Sequence, residues 1–195
     1  MAGNISKGQL FYVIGASGAG KDSLLNYVRP LLVDQPVVVA HRYITRPVEL
    51  TGENHIQLSE AEFLNRDSRG CFLFSWQSHG LYYGIGCEVL DWLDLGLNVV
   101  INGSRGYLDD ATGLIPDIKP VLITVSQDKL KARLEQRARE TSDEITERLH
   151  RAQQFDQLSH PNLIKVSNNE TLEVAGQQLY ATLTAPSALS LSTAL

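Results

Sequence analysis

Gly15-Ala16-Ser17-Gly18-Ala19-Gly20-Lys21-Asp22 is the stretch whose reading decides the fold. The apolar run before it, Gln9 to Ile14 (QLFYVI), stops at Gly15, the pattern of a buried strand that ends in a glycine turn. After it, Leu24, Leu25, Val28, Leu31 and Leu32 recur at helical spacing, which predicts a helix over 22–32. Strand, G-x-x-x-x-G-K and helix in that order form a loop that cradles phosphate. The glycines let successive N–H groups point into one cavity. The helix adds its free N–H groups and positive dipole end, and Lys21 adds a full charge for the β- and γ-phosphates of a nucleotide. Gly15, Ala16, Ser17, Gly18, Ala19, Gly20, Lys21, Asp22 and Ser23 are therefore the expected ATP-binding residues.

Asp22 stands where such loops usually carry Ser or Thr for Mg²⁺, with Ser23 behind it. A carboxylate is also a hard oxygen ligand, so Asp22 and Ser23 are the metal candidates, with Asp22 binding directly or through water. The alternative is that Asp22 only complements the dipole of the helix's first turn.

Outward from the loop, short apolar runs at Val37–Ala40, Val99–Ile101, Val121–Val125 and Leu163–Val166 read as further buried strands. Phe72–Trp76 and Leu81–Tyr83 read as a strand pair with Gly80 near the turn. Ser59-Glu60-Ala61-Glu62 and Thr141-Ser142-Asp143-Glu144 are capping boxes that open helices, the second running to about Leu158. Cys87–Leu95 and Gln127–Arg139 read as helices, as does Thr171–Leu183 with Leu172, Ala175, Leu179 and Leu183 on one face. Strands alternating with helices predict an α/β fold: a P-loop NTPase with a parallel sheet covered by helices on both faces.

The 195 residues suffice for one domain with a real core. A formal net charge of -5 excludes broad nucleic-acid or anionic-membrane binding, so a phosphate ligand must be held by local arginines. No run of about 18 apolar residues occurs and the polar start has no apolar signal core, which reads as a cytoplasmic chain. Cys71 and Cys87 have no metal-ligand spacing and read as buried, reduced thiols rather than a disulfide.

Further along, Thr45-Arg46-Pro47, Gly52 with Glu53, Phe63, Gly70 to Leu73, His79 to Gly84, Arg133 to Arg137, and Arg148-Leu149 with Ala152 follow the loop in an ordered series. That series resembles the guanylate kinase family over roughly residues 9 to 183. The resemblance implies one kinase domain over 1–184. Its core would be 9–40, 96–126 and 159–184, its acceptor-binding insertion 41–95 and its lid 127–150. The tail 185–195 is expected to fray.

The departures from that family are informative. Phe74 stands where a glutamate reads guanine, Arg42 where a serine helps, Ile85 where Ser or Thr follows Tyr-Tyr-Gly, and Asn102 where an acidic residue ends the third core strand. A site built for a base and stripped of its polar partners loses roughly 10⁴-fold discrimination. Added arginines at 42 and 105 suit an acceptor richer in phosphate. Gly15 to Ser23, Arg42 to Pro47, Glu53 to His55, His79 to Gly84 and Asn102 to Arg105 together resemble the ribose 1,5-bisphosphate phosphokinases. This narrower resemblance implies transfer from ATP to ribose 1,5-bisphosphate, giving ADP and 5-phosphoribosyl 1-diphosphate. The setting would be phosphonate breakdown or supply of that diphosphate.

The acceptor oxygen in that reaction is already ionised, so cations matter more than a base. The resemblance puts Lys21, Arg46, Arg137 and Arg148 at the reaction and Arg42, Arg46, His55, Tyr83, Asn102 and Arg105 on the acceptor. Glu53 is a metal or sugar-hydroxyl candidate. Arg133 and Arg139 read as solvated, and Phe74 and Trp76 as packing, with Phe74 lining an emptied base pocket. The partner is a small phosphorylated sugar, and monomer and homodimer both remain open. Two rivals stand beside this reading: a nucleoside monophosphate kinase, which shares the core features, and a catalytically silent binding module, which such an intact phosphate loop with Lys21 argues against.

Overall fold

The computed structural model describes residues 7–48, 53–137, 141–153 and 158–185, the side chains of Arg137, Ser142, Arg151 and Gln153 excepted. Gly52, Arg139 and the tail 186–195 lie outside these residues, as does the 154–157 part of the helix expected to reach Leu158.

The first strand, β1 (Leu10–Gly15), shows why the core forms here. Phe11 and Val13 face one apolar cluster, while Leu10, Tyr12 and Ile14 face another. A strand buried on both faces needs cover on both. Helix α1 (Lys21–Val28) packs Leu24, Leu25 and Val28 into the first cluster. The helix expected over 22–32 stops at Val28, and Arg29–Leu32 is a 3₁₀ turn with Pro30 in its first positions. Pro30 has no N–H to return to the carbonyl four residues back, so the α-helical hydrogen-bond ladder ends there although Arg29 keeps helical backbone.

Strand β2 (Val37–Val39) is followed by two strands the sequence did not announce, β3 (Arg42–Ile44) and β4 (Ile56–Gln57). Helix α2 (Glu60–Asp67) opens as its capping box predicts: Ser59 Oγ accepts from the Glu62 N–H at 3.2 Å. Strands β5 (Phe72–Ser78) and β6 (Leu81–Gly86) form an antiparallel hairpin. Its two turn residues, His79 (φ 51°) and Gly80 (φ 73°), are both left-handed, the twist that two-residue hairpin turns require.

Helix α3 (Glu88–Asp94), β7 (Asn98–Asn102), a 3₁₀ turn at Arg105–Tyr107, α4 (Leu108–Leu114) and β8 (Lys119–Thr124) follow. Then come α5 (Gln127–Arg137), α6 (Ser142–Gln153), β9 (Ile164–Ser167) and α7 (Leu172–Thr184). The short α4 escaped the sequence reading because only Leu108 and Ala111 of it are buried. In α6, the Thr141 N–H and hydroxyl donate to Glu144 Oε2 at 2.8 and 3.0 Å, and the Glu144 N–H returns a bond to Thr141 Oγ1 at 3.4 Å. On α7, Ala175, Leu179 and Leu183 are buried as expected, but Leu172 is 44% exposed, because the first turn overhangs the core.

The main sheet is parallel in the order β2-β7-β1-β8-β9. Helices α1, α5, α6 and α7 contribute to one cluster, α3 and α4 to the other. A separate four-stranded sheet, β4-β3-β6-β5, is built from residues 42–86. Cys71 and Cys87 are free thiols but not buried ones: Cys71, just ahead of β5, is exposed, and Cys87 is half-buried. Among the described residues no helix is long and apolar enough to cross a membrane.

Candidate active site

One cleft of about 580 Å³ opens between the phosphate loop, the four-stranded sheet, the loop after β7 and helix α6. Parallel sheets place ligands at the carboxyl ends of their strands. Here β1 delivers Gly15, Ala16 and Ser17, and β7 delivers Asn102 and the residues after it.

The loop itself is built as its sequence requires. Gly18 and Gly20 both have φ 92°, a conformation that L side chains rarely adopt. Lys21 Nζ donates to the Gly15 carbonyl at 2.9 Å and more weakly to the Ala16 carbonyl at 3.5 Å, which holds the ammonium at the loop mouth. Burial pushes the Lys21 pKa down, with Asp22 opposing that shift. The Ala19 carbonyl accepts from Asn168 Nδ2 at 2.7 Å and Arg133 Nη1 at 3.3 Å, and Arg133 Nη2 donates to the Asn168 carbonyl at 3.0 Å.

At the helix start, Asp22 is exposed and its Oδ1 accepts from Asn102 Nδ2 at 2.8 Å. Asn102 is 4% exposed, and its own Oδ1 has no hydrogen-bond partner. Ser23 is exposed and is not among the cleft-lining residues. Across the cleft, Arg42 is locked to Glu53 by two short contacts, Nε to Oε1 and Nη2 to Oε2, with both side chains largely buried. The Arg42 guanidinium also lies 5.1 Å from the centre of the Tyr83 ring.

Arg105 and Tyr83 line the same cleft, and from α6 so do Glu144, Glu147, Arg148 and Ala152. Arg148 Nη1 donates to Ser17 Oγ at 3.0 Å, tying α6 to the phosphate loop. The Glu144 carboxyl is held below its ordinary pKa, first by its bond from the Thr141 backbone.

Lys21, Asp22, Arg42, Tyr83, Asn102, Arg105 and Arg148 are thus brought together, while other expected residues are placed elsewhere. Arg46 is not in the cleft lining, and its buried Nε has no partner. His55 is 6% exposed, with Nδ1 and Nε2 each 3.0 Å from a carbonyl, those of Glu53 and Arg46. Both of its ring nitrogens therefore face backbone. The Arg137 side chain lies outside the described residues.

No protein-family model matches the chain. Curated relatives do match, along most of its length. Ribose 1,5-bisphosphate phosphokinase PhnN of Psychromonas ingrahamii is 60% identical over 178 residues, which covers 91% of each chain. The protein of that name from Thiobacillus denitrificans is 52% identical over 178 residues, covering 90% of this chain and 92% of its own. That of Yersinia pestis is 43% identical over 183 residues, covering 93% and 94%. The chain belongs to the ribose 1,5-bisphosphate phosphokinase family. Among solved structures, guanylate kinase from Anaplasma phagocytophilum superposes with a TM-score of 0.66 at 16% identity, covering 92% of this chain and 86% of that one. At that identity the likeness concerns the fold, which is guanylate kinase-like.

Sequence reasoning missed several residues that build the site of this ribose 1,5-bisphosphate phosphokinase family member. Arg133 was read as solvated, yet it clamps the phosphate loop with Asn168. Asn168 directly follows the last strand beside the loop, the position at which parallel sheets place functional groups. Glu144 and Glu147 share a helix face with Arg148 and Ala152, a spacing of three to four residues that was there to be read. Trp76 lines the cleft, whereas Phe74 is 0% exposed in the core and lines nothing.

Tyr12 missed attention because a strand aromatic reads as core. Its hydroxyl donates to the Ser104 carbonyl and accepts from the Ser104 N–H, both at 3.0 Å. Burial raises the Tyr12 pKa well beyond the ordinary range, so it stays a neutral phenol. Its ring lies where a side chain at 103 would be: a Cβ on Gly103 would stand 2.3 Å from it. Gly103→Ala is therefore expected to lift the 103–105 loop off Tyr12 and destabilise the fold by about 1–3 kcal/mol, lowering Tm by roughly 3–10 °C. It should also raise KM for the acceptor through Arg105. Thermal unfolding and steady-state kinetics check this, and an unchanged KM would separate Arg105 from the acceptor.

Proposed function

We propose that this protein transfers the γ-phosphoryl group of ATP to the 1-phosphate of ribose 1,5-bisphosphate, giving ADP and 5-phosphoribosyl 1-diphosphate. One observation carries the reading beyond the family: Arg42 and Arg105 meet Lys21 and Arg148 around a single cleft. Two polyanions must approach each other there, and the cations between them offset their repulsion.

The attacking group is an ionised oxygen of the 1-phosphate. It forms a bond to the γ-phosphorus as the bond to the β–γ bridging oxygen breaks, and ADP leaves with that electron pair. No proton has to be removed, so the chain supplies position and charge. The phosphate loop and Lys21 hold the donor. Arg42, kept in place by Glu53, and Arg105, carried by the loop on Tyr12, hold the acceptor. Tyr83 supports Arg42, and Arg148 reaches the transferred group from α6. Arg137 takes the same duty from the end of α5. Arg46, with an unpartnered buried Nε, gains a hydrogen bond if the acceptor phosphate reaches it on closure of the 127–150 lid over the 41–95 insertion. His55 then serves by fixing the Arg46 backbone.

The residues present fit Mg²⁺. Asp22 offers an exposed carboxylate, and beside it the orphaned Asn102 Oδ1 is a second hard oxygen. Among the described residues no three His, Cys, Asp or Glu side chains converge, so the ion would depend on nucleotide phosphates for most of its ligands. Mg²⁺ held there would supply neutralisation of the charge that develops on the phosphates. The reading includes a cytoplasmic enzyme that feeds diphosphate supply or phosphonate breakdown.

A coupled ADP-release assay with ATP and Mg²⁺, offering ribose 1,5-bisphosphate, GMP and AMP separately, tests it. Release with the sugar bisphosphate alone is expected, with the diphosphate seen by phosphorus NMR. Release with GMP or AMP and none with the sugar would overturn it.

A further inference from the structure

We infer that Trp76 determines acceptor specificity by occupying the space that a nucleobase on the acceptor would need; this rests on the sugar-bisphosphate reading above. Trp76 and Tyr83 are the aromatic residues among those lining the cleft, and they stand opposite the phosphate loop beside Arg42 and Arg105. A base is held by stacking on an exposed ring or by a set of polar partners. Neither ring is offered to a ligand in that way.

Trp76 faces Tyr83 across the hairpin register and stacks on it at 5.5 Å with the planes 6° apart. Tyr107, from the turn after Arg105, stacks on the same indole at 5.6 Å and 27°. The Arg42 guanidinium lies over Tyr83. Both rings are half-buried, and part of each ring surface is taken up by its neighbour and, for Tyr83, by the Arg42 cation.

The stack is also anchored from below. Phe74, fully buried, meets Tyr107 edge-on at 5.9 Å and Tyr12 at 6.2 Å. Moving Trp76 aside would disturb a chain of rings reaching β1, so the indole acts as a fixed wall. A wall that rejects a larger competitor is a specificity device as effective as a new attraction to the right substrate. The rest of the cleft lining offers Lys21, Arg42, Arg105 and Arg148 to phosphate, beside the carboxylates of Asp22, Glu144 and Glu147.

The test compares kcat/KM for ribose 1,5-bisphosphate, GMP and AMP in the wild type and in Trp76→Ala, Trp76→Leu and Trp76→Phe, with thermal unfolding of each. The ratio of nucleotide to sugar turnover is expected to rise roughly tenfold or more in Trp76→Ala and Trp76→Leu and to stay near wild type in Trp76→Phe. A residue that only cements the hairpin to the 103–107 segment would lower all acceptors in proportion, and that outcome in a folded variant overturns the proposal. So does failure of both smaller variants to fold. If the wild type itself prefers GMP or AMP, the sugar-bisphosphate reading fails, and that is visible without any variant.

Discussion

Lys21→Met is expected to lower kcat by about 10³-fold while leaving the folded protein at least as stable as the wild type. The loss follows from the position of the ammonium, which is held 2.9 Å from the Gly15 carbonyl at the mouth of the phosphate loop. A charge fixed in advance where charge develops is commonly worth factors of about 10²–10³ or more. The stability result follows from the partial desolvation of a half-buried ammonium. Desolvation lowers the Lys21 pKa in the folded state below its ordinary value. Between the folded and the ordinary value the unfolded chain binds more protons, so stability rises with pH across that window and burial of the charge opposes folding below it. Methionine keeps the length and removes the charge. Its Tm should equal or exceed that of the wild type near neutral pH, with the gap narrowing toward about pH 10, where lysine ordinarily titrates. Thermal unfolding at both pH values and an ADP-release assay check the two halves separately. Near-normal turnover would remove Lys21 from the mechanism.

Arg148→Ala should lower kcat by about 10²–10³-fold with little change in stability, within about 0.5 kcal/mol. Arg148 is only partly buried on α6, and its bond to Ser17 Oγ is a surface contact that contributes little to folding. On the proposed mechanism, the same contact would bring the guanidinium to the transferred phosphate at the loop. Arg148→Lys should recover little, because a point charge lacks the fork that grips two phosphate oxygens at once. Steady-state kinetics decide it: a loss confined to KM for ATP, with kcat intact, would make Arg148 a ground-state binding residue instead.

Much of the fold was legible along the chain. β1 and the glycine loop lie within a dozen consecutive residues, and both capping boxes close bonds over three positions. The exceptions were also physical. Pro30 ended a helix whose apolar spacing ran on to Leu32, and α4 buried too few residues to show a period. Of the site, the loop and the cleft-lining arginines at 42, 105 and 148 were legible through family motifs. The stacking of Trp76 and the service of Arg133 to the loop were not, since an aromatic in a strand and an arginine on a charged helix look the same in any setting.

By itself the sequence determined the parallel α/β architecture and the phosphate loop, because each is written in residue type and short spacing, while the departures at base-reading positions came only from the family resemblance. Only the tertiary structure decided which side chains share a cleft. Arg148 meets Ser17 across 131 positions, Asn168 meets Ala19 across 149, and Asn102 meets Asp22 across 80. It set Arg46 and His55 behind the lining and made Trp76 a wall. Helix and turn hydrogen bonding acts over a few residues and leaves a local signature. A side chain's partner is chosen by the packing of whole elements, for which no single stretch of sequence carries the record.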